Sequence, residues 1–70
     1  MQTISVPITG EYIELAALLK IAGLASSGGH AHLLIEDGIV ACNGEAENRK
    51  RRKVRRGDKV QIGQVVINVV

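Results

Sequence analysis

Seventy residues allow one small domain, 1–70, that buries only about 60% of the surface its unfolded chain would expose. With 46% apolar residues, no Phe or Trp and Tyr12 as the one aromatic, both a disordered chain and an aromatic platform for stacking bases are excluded. The formal net charge of +2 conceals a segregation: eight of the nine basic residues lie between Arg49 and Lys59, which with Asp58 carry +7, while Lys20 and six acids leave the remainder at −5.

In chain order, Met1 to Pro7 lacks the basic-then-apolar order of a secretion signal, and Thr3–Val6 suits a short strand that Pro7 ends or places at a sheet edge. Thr9 is a candidate N-cap, and Glu11 would lie near the positive end of a helix dipole. Leu15, Leu18, Leu19 and Ala22 follow at i, i+3, i+4, i+7 spacing, which predicts an amphipathic helix over Glu11–Ala22. Gly23 is the natural residue after its C-cap, with Leu24 folding back in a Schellman-type contact. Ser26 or Ser27 can cap a second, shorter helix with Ala31, Leu34 and Ile35 on its apolar stripe and Gly38 at its end.

Beyond Gly38 the period changes. Ile39–Cys42 reads as a strand, Asn43-Gly44 as a type I′ hairpin turn, Arg56-Gly57-Asp58 as a further turn, and Lys59–Ile62 as an alternating strand. Gly63-Gln64 supplies another two-residue loop into a last strand, Val65–Val70. The expected class is α+β: two short packed helices followed by a small, mainly antiparallel β-sheet. The single Cys42 falls where an inward strand residue belongs, and it permits neither an internal disulfide nor a cysteine metal site. No apolar run approaches the roughly 18 residues of a membrane span, so a cytoplasmic protein without membrane contact is expected.

Five consecutive charges, Arg49-Lys50-Arg51-Arg52-Lys53, cannot form a strand with one buried face, because alternation would drive two or three of them inward. The run should therefore project as a loop, edge or hairpin wing, mobile in the free protein through self-repulsion. A polyanion would relieve that repulsion, and the planar fork of arginine suits phosphate oxygens. If four to six side chains met phosphates, log affinity would fall with log salt at a slope of about −3 to −5. Exposure of the run also implies that Arg51 and Arg52 could be changed to Ala with folding nearly unchanged. Glu45 and Glu47 flank it, either pairing with it or lying exposed.

At this point the motifs Leu15 to Gly23, Ser27, Ala31, Leu34-Ile35, Gly38, Val40, Asn43-Gly44 and Arg56-Gly57-Asp58-Lys59-Val60 resemble the RNA-binding domain of ribosomal protein S-four, the α-L motif. The likeness runs from Glu11 to about Ile62. The Ser27-Gly28 pair and Arg49-Lys50-Arg51 are most similar to the small stand-alone bacterial members termed YbcJ-like. The resemblance implies RNA backbone lying across two short helices and a β-loop, with contacts from Ser27 and its neighbours and from Arg49 to Lys53. One departure is Gly28, where the wider family usually has an arginine.

The remaining features are weaker. Ser26-Ser27-Gly28-Gly29 before a helix offers backbone N–H groups at a positive dipole end, which serves equally as a phosphate site or an ordinary cap. His30 lies in the first turn, within reach of such a phosphate, but His30 and His32 are two apart and cannot share one metal on a helix. A Ser27–His30–Glu36 set can be written down without any oxyanion site to serve it, so no catalytic residue is assigned. No cofactor is expected either. The expected function is non-enzymatic binding of structured RNA of the ribosomal or transfer class, with the ribosome or an RNA-modifying complex as possible company. The contacts would be Arg49, Lys50, Arg51, Arg52, Lys53, Arg55, Lys59, Ser27, Gly28, Gly29 and His30. The alternatives are a protein-interaction module whose basic loop meets an acidic partner, and nonspecific DNA binding.

Overall fold

The computed structural model describes residues 2–70. Along the chain run β1 (Gln2–Val6), β2 (Ile13–Glu14), α1 (Leu15–Ile21), α2 (Gly28–Glu36), β3 (Val40–Cys42), β4 (Glu45–Ala46), β5 (Lys53–Val54), β6 (Lys59–Ile62) and β7 (Val65–Val69). Five strands form one sheet in the order β1-β7-β6-β3-β4, antiparallel except where β1 lies parallel to β7, and β2 pairs with β5 in a separate two-stranded ladder. The expected α+β class holds.

Alternation explains which face of the sheet is buried. In β6, Val60 and Ile62 point inward and Lys59 and Gln61 outward; Val40 and Cys42 of β3 and Ile67 and Val69 of β7 join the same inner face. Leu15, Leu18 and Leu19 of α1 and Ala31 and Ile35 of α2 close over it, giving one aliphatic core in two layers. Leu34, expected on the apolar stripe of α2, is partly buried and packs against this core, and its neighbour Leu33 is exposed. Cys42 is a buried free thiol whose pKa burial pushes up.

The turns adopt the backbone that their residues favour. Asn43 and Gly44 take φ values of 52° and 88°, the pair of left-handed residues that a type I′ turn requires, and join β3 to β4. At the end of α1, Gly23 has φ 80°; its N–H donates to Lys20 O and that of Leu24 to Leu19 O, the two bonds of a Schellman motif.

The start of α1 is not where spacing put it. The helix begins at Leu15, not Glu11, and Thr9 caps nothing. Ile13 and Glu14 are strand residues opposite Val54 and Lys53. Glu14 occupies the cap position without a side-chain cap bond. The orphan N–H groups of Leu15 and Ala16 donate instead to Arg52 O (2.9 Å) and Lys50 O (3.0 Å). Carbonyls from the basic run thus supply the cap, and β-branched Ile13 gains a ladder partner in place of a helical turn.

Candidate nucleic-acid interface

Those two hydrogen bonds anchor to α1 a basic run expected to project as a mobile loop. Residues Arg49–Arg52 form a turn, closed by Arg52 N–H donating to Arg49 O (3.2 Å), and Lys53 lies in β5. Backbone bonds to the N-terminus of α1 and the β2–β5 ladder then fix the turn from the other side. Self-repulsion is answered by acids. Glu14 accepts from Arg51 Nε at 3.2 Å, an exposed pair worth at most about 1 kcal/mol. Lys53 Nζ lies 5.1 Å from the centre of the Tyr12 ring, a cation–π contact made by the chain's one aromatic residue.

Glu47 is the residue the sequence reading resolved least. It follows β4, its N–H donates to Val40 O at 2.9 Å, and at 7% exposure it is the one buried polar or charged residue among the described residues. Its Oε2 accepts from Arg49 N (3.2 Å) and Arg49 Nε (3.0 Å); its Oε1 accepts from Arg49 Nη2 (3.1 Å) and Arg52 Nη1 (2.8 Å). Those bonds occupy the acceptor capacity of the carboxylate. Nothing local marks this acid in the sequence, because its burial arises from the β3–β4 hairpin and the returning basic turn.

The consequence is measurable in acid. Hydrogen bonds from Arg49, opposed by burial and reinforced by Arg52, hold the Glu47 carboxyl at about 2 against an ordinary 4.5. The folded chain therefore binds fewer protons than the unfolded chain between these values. The stability contributed by the ionised group is complete above about pH 5 and is lost as pH falls toward 2. Thermal melts from pH 7 to pH 2 should show a fall in wild type that is shallower in Glu47→Gln. Equal acid slopes in both proteins would assign the loss to other groups.

The expected site residues separate into three sets. Arg49, Lys50, Arg51, Arg52 and Lys53 line one open concavity of about 590 Å³. Arg49 and Arg51 remain 71% and 78% exposed at the side chain despite their acid partners, whereas Arg52 is only 30% exposed and its buried Nε has no acceptor among the described residues. Arg52 is therefore not the freely replaceable surface residue that the run suggested. Arg55 and Lys59 lie at a different turn, where the backbone N–H of Arg55 donates to Asp58 Oδ2 (2.8 Å) and that of Lys59 to Asn43 Oδ1 (3.0 Å). Both side chains are exposed. Among the described residues, no hydrogen bond or ion pair joins either basic set to the third.

The third set is the start of α2. Ser27 is the N-cap, its Oγ accepting from His30 N at 3.1 Å, and His30 Nδ1 accepts from Ser26 N at 3.0 Å. Gly28 and Gly29 open the helix, and their N–H groups find no acceptor among the described residues. A Cβ on Gly28 would meet nothing within 4 Å, and one on Gly29 only Ser27 Oγ at 3.9 Å. The fold itself therefore does not require glycine at either position. Among the described residues there is no cluster of potential metal ligands and no helix long and apolar enough to cross a membrane.

Two helices over a mixed sheet, with a basic turn bonded to the first helix, define a small α-L domain. The S4 domain family matches residues 6–70, and this chain belongs to that family. The solution structure of YbcJ from E. coli, described as having an αL motif involved in RNA binding, superimposes with a TM-score of 0.71 at 36% identity, covering 100% of this chain and 87% of YbcJ. By sequence, YbcJ of E. coli strain K12 is 37% identical over 59 residues, 84% of each chain. A Bacillus subtilis (strain 168) protein named "Probable ribosome maturation protein RlbA" is 39% identical over 57 residues, 81% of this chain and 80% of its own.

Proposed function

We propose that this protein acts as one non-catalytic RNA-binding unit, 1–70, that grips the backbone of folded RNA of the ribosomal or transfer class in the cytoplasm. The observation that carries the reading is the anchored turn Arg49–Lys53, five cations around one open concavity with Lys50 and Lys53 free of carboxylate partners among the described residues. Phosphate oxygens would approach Lys50, Lys53 and the outward faces of Arg49 and Arg51, with Arg52 holding the turn from beneath. Arg55 and Lys59 extend the positive field along the chain. At the start of α2, the free N–H groups of Gly28 and Gly29, with Ser27 and His30 beside them, offer a second phosphate contact, and the absent Cβ atoms leave room for close approach. The RNA-binding description of YbcJ and the ribosome-maturation name of RlbA support an RNA partner, with the ribosome or an RNA-modifying assembly as its setting.

The test is a titration of labelled transfer RNA across salt concentrations, with unlabelled duplex DNA of equal charge as competitor. The expected slope of log affinity against log salt is about −3 to −5, with RNA preferred over the duplex. Equal competition by the duplex would reduce the function to nonspecific polyanion binding. Capture of an acidic protein that survives nuclease treatment, together with no affinity for RNA, would replace it by a protein-interaction role. In the same titration Gly28→Ala/Gly29→Ala should weaken RNA while leaving the melting temperature unchanged or raised, since Ala in a helix is favoured over Gly by up to about 1 kcal/mol. Unchanged affinity would remove the helix start from the interface.

A further inference from the structure

A carboxylate inside a polycation is electrostatically the wrong sign for a phosphate-binding surface. Simple charge counting predicts that Glu47 weakens any polyanion complex, because it offsets one of the five cations in the turn. The geometry argues the opposite. One carboxylate grips the Arg49 guanidinium through Nε and Nη2, takes the Arg49 backbone N–H, and holds Arg52 through Nη1. Two flexible like-charged side chains are thereby fixed side by side, and the backbone of the turn is fixed with them.

We propose that Glu47 is a positioning residue for RNA binding: its buried carboxylate sets the Arg49–Arg52 pair and the turn between them, so that an acidic side chain raises affinity for phosphate. The inference rests on the RNA-binding reading above. Three observations support it. Glu47 is buried at 7% exposure, so its carboxylate faces the arginines rather than an approaching RNA. Arg49 keeps 71% of its side chain exposed while Nε and Nη2 are engaged, which leaves Nη1 to meet an incoming oxygen. The Arg52 carbonyl caps Leu15, so whatever fixes Arg52 also fixes the join between the turn and α1. Ordering two arginines before RNA arrives removes that cost from the binding step.

The experiment compares wild type with Glu47→Gln and Glu47→Asp, using unfractionated transfer RNA as the probe at 0.1 M salt and 25 °C. Glu47→Gln adds one unit of positive charge, yet its affinity is expected to fall about tenfold, the cost of immobilising two long side chains during binding. Glu47→Asp, with net charge unchanged and a side chain one methylene shorter, should also lose affinity. A Glu47→Gln protein that is folded and binds as tightly as wild type, or more tightly with a steeper salt slope, overturns the proposal. If either variant fails to fold, nitrogen-15 spectra of the free wild-type protein decide. Arg49 should then show a slowly exchanging Nε–H signal and Arg52 resolved, slowly exchanging Nη–H signals at pH 6, and both should broaden together below pH 3. Averaged, rapidly exchanging signals for both at pH 6 would equally overturn it. Wild type that binds no transfer RNA at all would sink the RNA reading instead, while the spectra would still report whether the pair is held.

Discussion

Replacing Lys50, Arg51 and Lys53 together by Ala is expected to reduce affinity for transfer RNA on the order of a hundredfold or more at 0.1 M salt. Each phosphate contact contributes about 0.7 to 0.9 to the salt exponent, equivalent to roughly five- to eightfold in affinity at that concentration. The exponent should accordingly fall in magnitude by about 2 to 3 if all three residues touch backbone. Stability should change little, because Lys50 forms no side-chain hydrogen bond or ion pair among the described residues, Arg51 has one exposed partner in Glu14, and Lys53 has only the Tyr12 ring. These are contacts of about 1 kcal/mol or less each. Filter binding or fluorescence anisotropy at several salt concentrations, beside a thermal melt, checks both halves. An unchanged exponent would place the RNA elsewhere. This triple variant is a cleaner probe than a change at Arg51 and Arg52, since loss of Arg52 also strips a partner from buried Glu47 and so disturbs the fold it is meant to spare.

Leu18→Ala should have the largest effect on stability. Leu18 is fully buried in the core, and truncating such a leucine costs about 2–5 kcal/mol. A chain of this length has on the order of 4–10 kcal/mol in total, so the melting temperature should drop by at least 10 °C or so. A helix of seven residues has no stability of its own, and α1 persists only through its packing. The same substitution should therefore loosen the basic turn, whose carbonyls at Lys50 and Arg52 are held by the N–H groups of Ala16 and Leu15. Hydrogen exchange at Leu15 and Ala16 should accelerate in parallel with the loss of stability. A melting temperature within a few degrees of wild type would mean that the core closes over the gap.

Together these expected results connect folding to function through one join. The turn that carries the cations is also the cap of α1, so the basic surface cannot be displayed properly unless the helix packs. Seen from the helix, a cap contributed by the carbonyls of Lys50 and Arg52 is a long-range feature, and it replaces the local cap expected at Thr9. The acids beside the run play a matching part: Glu14 and Glu47 keep strongly charged residues compatible with a compact turn.

Much of this architecture follows from the sequence by itself. The period of Leu15, Leu18 and Leu19, the Gly23 and Gly38 stops, the Ser27 cap, the Asn43-Gly44 turn and the alternation of Lys59–Ile62 are local signals, because each is fixed by the backbone geometry of a few neighbouring residues. The segregation of charge and the family likeness are equally legible in one dimension. Tertiary structure alone decided where α1 begins, that Ile13-Glu14 is a strand, that the basic run is an anchored turn, and that Glu47 is buried beneath Arg49 and Arg52. Each of these depends on partners far apart in sequence, whose carbonyls and guanidinium groups meet only after the aliphatic core has closed. Local propensity records nothing of such meetings.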